Sequence, residues 1–321
     1  MSLELPRIDY RGHPAYGGMF EPDPALRGRA IDLLQPLVDE MAKVESDRAA
    51  RFGYRYGYAE DKGRELAEQG MTQFQLPGEL IDKVHKRARP MVEVVQARVR
   101  EAKAKGAPIR FKTVEERLEP EANGAIYKAA DAFLREMEIY DLVARFFAAR
   151  SSRINSLALF VNPSDQDWAA RPFRDVDLPT PPTAGFHVDS NGKCYVKGIL
   201  HLGDVGPDQG ATGVVPGSHL WGQGGMDRIY RRAFDRSKLL ARAAEERRLF
   251  VSLPEEMQVK AEFGGDMLPE SPEAEDLLAR EVRAVGPRGL LTLFDPEAIH
   301  RGGQVREGER QVMQIVLTAQ Y

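Results

Sequence analysis

Residues 183–221 read TAGFHVDSNGKCYVKGILHLGDVGPDQGATGVVPGSHLW, and this stretch decides the fold. Its short apolar runs are cut by the turn signals SNG, GDVGPDQG and VPGS, which punctuate strands rather than helices. In an extended segment successive side chains point to opposite faces, so His187 and Asp189 fall on one side and Val188 on the other. One imidazole and one carboxylate then grip a single metal from adjacent positions. They do not close a site, and His300 is the best candidate for a second imidazole.

Outward from this stretch the β pattern continues. SRINSLALFVNP reads as a strand ending at Pro163, and a long polar, Pro-rich loop follows it. Further strands are expected at Ala184 to Asp189, Lys193 to Leu202, Gly213 to Pro216, Glu281 to Val285, Leu290 to Phe294 and Gln311 to Ala319. Short strands without alternating helices argue for an antiparallel jelly roll or barrel. Residues 222–280 interrupt it with a helical insertion, YRRAFDRSKLLARAAEERRLF.

The first half reads as helix. Leu26, Ile31, Leu34, Leu37, Val38 and Met41 make one apolar stripe from Pro24 to Val44. A second helical region starts at Gly78, where Pro90 is expected to kink or divide it, and a third spans Ala122 to Ala149. The expected fold is therefore mainly β with a helical flank. Residues 1–150 form an N-terminal flank, and residues 151–321 form a double-stranded β-helix, a cupin-like jelly roll, with the insertion at about 222–280.

Composition excludes several classes. Across 321 residues, 45 basic and 49 acidic side chains leave a net charge of −4, which offers no general attraction to nucleic acid or anionic lipid. No apolar run approaches the roughly 18–20 residues of a membrane span. The lone cysteine, Cys194, precludes an intrachain disulfide, and the opening MSLELPRIDYRGH lacks a signal-peptide pattern. A cytoplasmic protein with no nucleic-acid or membrane partner is expected, and oligomeric state is not encoded legibly. P-loop, GxGxxG, GxSxG and cysteine zinc spacings are all missing.

An HxD taken alone is more often a packing pair than a ligand set. His300 changes that weighing, because it ends GLLTLFDPEAIH, a strand and turn that a jelly roll brings beside distant strands. Two imidazoles and a carboxylate on one face of an octahedron leave positions open, as in non-haem Fe(II) oxygenases. Structural zinc would want a fourth protein ligand. His201 and His219 are not ligands in this reading; the first alternates within its strand and the second orders the PGSH turn.

The ordered set of HxD, the G-A-x-x-V-x-P-G-S-H turn from Gly210 to His219, the distal His300 and an arginine ten positions later resembles the phytanoyl-CoA hydroxylase-like family. These are Fe(II)- and 2-oxoglutarate-dependent oxygenases, and the resemblance covers roughly Arg153 to Tyr321. It implies that His187, Asp189 and His300 hold Fe(II), and that 2-oxoglutarate chelates the metal ahead of O2. Arg310 would meet the distal carboxylate of 2-oxoglutarate, a task suited to a planar guanidinium, with Arg301 and Arg306 as rivals. Asn155 or Asn162 would supply a further polar contact.

The implied reaction is hydroxylation of an unactivated carbon in a small organic molecule. Desaturation, epoxidation, ring closure and demethylation share the same site chemistry, and Asp189 argues against halogenation, which wants a small residue there. Two other classes stay open: a non-catalytic jelly-roll binding protein, and a cupin-type metal enzyme that uses no 2-oxoglutarate. Arg171, Arg174 or a member of the cluster Arg228, Arg231, Arg232, Arg236, Lys238 and Arg242 would greet an anionic substrate, although a solvated helix face explains that cluster better.

Overall fold

The computed structural model describes residues 22–52, 61–166, 186, 188–189, 195–220, 229, 233, 244–254, 257 and 272–321. The strands are β1 Met71–Gln75, β2 Glu115–Leu118, β3 Ser151–Pro163, β4 Tyr195–His201, β5 Gly213–Val214, β6 Val282–Arg283, β7 Leu290–Phe294, β8 His300–Arg301 and β9 Glu309–Gln320. Six form an antiparallel sheet in the order β1-β7-β4-β9-β3-β2, and three form a smaller one in the order β6-β5-β8. Among the described residues the two sheets do not close into a barrel. The architecture is the mainly antiparallel jelly-roll class expected.

Alternation explains how the larger sheet is buried on both sides. Leu157, Leu159 and Val161 of β3, Val196 and Leu200 of β4, Leu291 and Leu293 of β7, and Met313, Ile315 and Leu317 of β9 join the helical layer in one core. The intervening residues Ala158, Phe160, Ile199, Phe294 and Val312 turn the other way and meet Val214 of the smaller sheet. Such strands read as continuous apolar runs because neither face meets water.

Helices α1 Pro24–Phe52, α2 Asp61–Gln69, α3 Gly78–Ala104, α4 Phe111–Val114, α5 Gly124–Glu136 and α6 Ile139–Phe146 precede or flank these strands. Asp23 caps α1, its Oδ1 accepting the Ala25 N–H at 2.8 Å. The buried stripe Ala30, Leu34, Val38 and Met41 packs against Leu249, Val251 and Leu253, where the insertion's helix Ala244–Ser252 ends. This part of the insertion thus docks on α1, whereas Leu277 of its later helix, Pro272–Arg280, packs with Phe186, Val215 and Ile299.

Two expectations are corrected, and of the two alternatives at Pro90 division is ruled out. Helix α3 runs undivided through Pro90. An interior proline costs about 3 kcal/mol, whereas Val84, Val92, Val95 and Val99, buried on both sides of it, each contribute about 1.5–3 kcal/mol. The third helical region instead breaks in two at Glu138, which adopts φ 55°. Its apolar stripe changes phase between Leu134 and Ile139, so one straight helix would turn Ile139, Leu142 and Val143 away from the core that buries them. Finally, Phe186, Val188 and Asp189, the described members of the strand expected at Ala184 to Asp189, lie in no strand.

The N-terminal segment is also more than a flank, since it supplies both edges of the larger sheet. β1 pairs with β7 (Met71 opposite Phe294, Gln75 opposite Leu290) and β2 pairs with β3. The charges of β2, EERL, suit an edge that meets water.

His201 closes β4 in the interior, only 1 % exposed, and its Nδ1 has no partner among the described residues. Burial pushes its pKa down to about 4 against a hydrogen bond to the Gly286 backbone, and the Arg310 charge adds to the depression. The folded value lies below the unfolded one, so the unfolded chain takes up the proton first. Stability from this group is complete above about pH 6.5 and declines toward about pH 4 by on the order of 3 kcal/mol. Thermal melts across that window are expected to show a falling midpoint that His201→Gln flattens.

Candidate metal centre

The site is assembled from the backbone outward. After β7 the chain turns through residues 295–299 and re-enters the smaller sheet at His300. The Asp295 N–H donates to the Gly70 carbonyl at 2.8 Å, and the Ala298 N–H donates back to the Asp295 carbonyl at 2.8 Å. The Ser218 hydroxyl accepts the Ile299 N–H at 2.7 Å and donates to the Val215 carbonyl at 2.6 Å. This is what the PGSH turn does: its serine locks the residue before His300. Its histidine, His219, meets the Ala67 carbonyl through Nε2 at 2.9 Å and docks the turn on α2.

Asp189 is held by the same turn. Its N–H donates to the Pro296 carbonyl at 2.9 Å, while its own carbonyl accepts the Tyr195 hydroxyl at 2.8 Å. A strand ladder is not needed to aim it. Asp189 Oδ2 lies 3.1 Å from His300 Nε2 and also touches the Lys197 ammonium. The Phe294 ring packs on the imidazole with centroids 4.7 Å apart.

The donor set fits a cation. His300 Nδ1 faces the Ala298 carbonyl at 2.8 Å, and a carbonyl only accepts, so Nδ1 carries the proton. In the neutral ring Nε2 is then a lone pair aimed at a carboxylate oxygen, two acceptors at hydrogen-bond distance. Both can ligate one Lewis-acidic cation, and a carbonyl on Nδ1 is the kind of outer contact that orients a ligating imidazole. Among the described residues these two form a pair, not a cluster of three metal-binding side chains; His187 lies outside the described residues.

Across the same cavity, of roughly 260 Å³, stands Arg310. It is buried, 7 % exposed. Its Nε and Nη2 donate to Asn162 Oδ1 at 3.2 and 2.9 Å, and its Nη1 donates to the carbonyls of Gly302, at 2.8 Å, and Gly210. Every one of these acceptors is neutral. Burial alone pushes its pKa down to about 10, still charged at neutral pH, and a buried ion without a counter-charge costs several kcal/mol. The cavity therefore calls for an anion at this end.

Two glycines shape that end. Gly210 and Gly303 have φ of 69° and 49°, and their backbones approach so closely that a Cβ on Gly303 would lie 2.4 Å from the Ala211 carbonyl oxygen. Only glycine allows both the left-handed turn and the contact.

The family model described as phytanoyl-CoA dioxygenase (PhyH) matches residues 81–312, well over half of the chain. The chain belongs to this family. Membership carries the general activity with it, that of an oxygenase working with iron, 2-oxoglutarate and O2. No curated protein matches in sequence. Among solved structures, AviO1 from Streptomyces viridochromogenes is 14% identical, with a TM-score of 0.42, over 80% of this chain and 93% of that one. EctD from S. alaskensis with bound Fe is 16% identical over 83% and 78%, with a TM-score of 0.44. SnoK, a non-heme alpha ketoglutarate dependent carbocyclase from nogalamycin biosynthesis, is 14% identical over 82% and 85%, with a TM-score of 0.43. Likeness at this level decides nothing about reaction or substrate.

In this PhyH-family chain the cavity brings together Asp189, His300, Arg310 and Asn162. Asn162 Oδ1 accepts from Arg310, and its Nδ2 donates to Gln166 Oε1 at 2.9 Å. Asn155 does not join them: it is exposed at the β3 bulge, where the register shifts between Ile154 and Ser156, and it does not line the cavity. Arg301 is committed to Glu281 through two bonds of 2.5 and 2.6 Å, and Arg306 is exposed beside Asp208. Neither is a rival to Arg310. Trp168, Trp221, Arg171, Arg174 and the insertion's Arg228, Arg231, Arg232, Arg236, Lys238 and Arg242 lie outside the described residues.

Lys197 is the cavity residue that sequence reading passed over. Its signal was a single cation at an inward position of an otherwise apolar strand, YVKGILH.

Gly303→Ala is expected to lower the unfolding free energy by at least about 1–3 kcal/mol from left-handed strain alone. Chemical denaturation would register this, together with loss of the Arg310 cradle as weaker 2-oxoglutarate binding.

Proposed function

We propose that this oxygenase hydroxylates an unactivated carbon of a small organic molecule, with His187, Asp189 and His300 as the Fe(II) ligands and Arg310 as the anchor for 2-oxoglutarate. The observation that carries the reading is one cavity with two complementary ends. At one, an imidazole and a carboxylate face each other; at the other, the partners of a buried guanidinium among the described residues are all neutral.

When bound, iron and 2-oxoglutarate supply the activation of O2 with release of succinate and CO2. The chain's own residues do the rest. Arg310, held edge-on by Asn162 and the Gly210 and Gly302 carbonyls, offers a carboxylate a guanidinium already oriented and already desolvated. The Ala298 carbonyl keeps the His300 proton on Nδ1, so that Nε2 stays available to the metal. Phe160, Ile199, Phe294 and Val312 line the cavity with apolar surface and limit water around the reacting carbon.

The test is Fe(II)-dependent succinate release from 2-oxoglutarate, coupled or not, together with anaerobic binding. Removing one partner of a buried charge pair costs at least about 2 kcal/mol, so Arg310→Ala is expected to weaken 2-oxoglutarate binding about 30-fold or more. His300→Ala is expected to abolish the metal-dependent signal. Unchanged affinity in Arg310→Ala would turn the reading toward a metal enzyme that uses no 2-oxoglutarate, and absence of succinate under all conditions would turn it toward a binding protein.

A further inference from the structure

Lys197 has no task in the scheme above, and its position demands one. It projects from β4 into the cavity, between Phe294 of β7 and Val316 of β9 as its register partners, on the same face as Ile199. Its side chain is 18% exposed. A lysine so placed gives up much of its hydration and needs a counter-charge. Asp189 is the only acid among the described residues that line the cavity, and Lys197 contacts its Oδ2.

That carboxylate is already committed in the reading on which this inference rests. The two positive charges of Fe(II) are met by Asp189 and by the carboxylate of 2-oxoglutarate that binds the metal. The other carboxylate of 2-oxoglutarate meets Arg310, and Arg301 is neutralised by Glu281. His300 as a ligand is neutral. Among the described lining residues, the Lys197 ammonium is then the one charge left over, and it lies beside the metal position.

We propose that Lys197 receives a carboxylate of the substrate, so that this enzyme acts on a small carboxylic acid whose reacting carbon lies close to its carboxylate. The flexible stem of Lys197 lets the ammonium swing from Asp189 to the incoming anion, exchanging one ion pair for another. An uncharged analogue leaves that exchange without compensation and is rejected on charge rather than on shape.

The test uses the protein loaded with Fe(II) and 2-oxoglutarate without oxygen, reading the metal-to-co-substrate charge-transfer band while acetate or its uncharged isostere acetamide is added. Acetate is expected to perturb the band and acetamide to leave it unmoved. Lys197→Met is expected to keep the band but to require about tenfold or more acetate for the same perturbation, the loss of a charge-assisted contact. Lys197→Arg, which keeps the charge, is expected to restore the response. An equal response to acetamide, an undiminished acetate response in Lys197→Met, or loss of the band in that variant would each overturn the proposal; the last would assign Lys197 to the metal or to 2-oxoglutarate. A wild-type protein that forms no band would instead fail the underlying oxygenase reading and take this inference with it.

Discussion

A strand buried on both faces must serve two environments with one run of residues, and the period of two is what makes this possible. In the larger sheet one set of side chains locks onto the helices, while the alternate set builds a cavity against the smaller sheet. Sliding β9 or β4 by one residue would turn Arg310 or Lys197 into the helical core and a leucine toward the cavity. The long β3 to β9 pairing, from Ser151 opposite Gln320 to Pro163 opposite Glu309, therefore fixes the chemistry as firmly as it fixes the fold.

Within that frame the site is an exercise in distributing charge. Arg301 and Glu281 neutralise each other at its margin, with the arginine also over the Phe186 ring at 4.8 Å. Arg310 and Lys197 face inward, and a single described acid stands between them. In a low-dielectric interior an arrangement richer in cations than anions is costly unless ligands complete it. Bound anions relieve that cost.

Legibility followed the range of the forces involved. Strands β3, β4, β7 and β9 were readable because their apolar runs and turn residues are local, and the order of Asp189, His300 and Arg310 along the chain was enough to anticipate that they line one cavity. β1 and β2 were not: MTQFQ and EERL have no strand pattern of their own and become strands only through partners far away in sequence. The split between α5 and α6 was visible in principle as a phase slip but needed the core to show which phase mattered. Asn155 and Asn162 looked equivalent on paper, but Asn155 falls at the bulge and is exposed, whereas Asn162 lies against a guanidinium. Lys197 was hidden by its apolar company.

The turn that carries His300 is fastened from behind, by the Gly70 carbonyl and the Ser218 hydroxyl, on the side away from the cavity. Side chains of the cavity lining can therefore be exchanged without touching either of these two fastenings. Such a division is the physical condition for one scaffold to accept different linings around an unchanged turn.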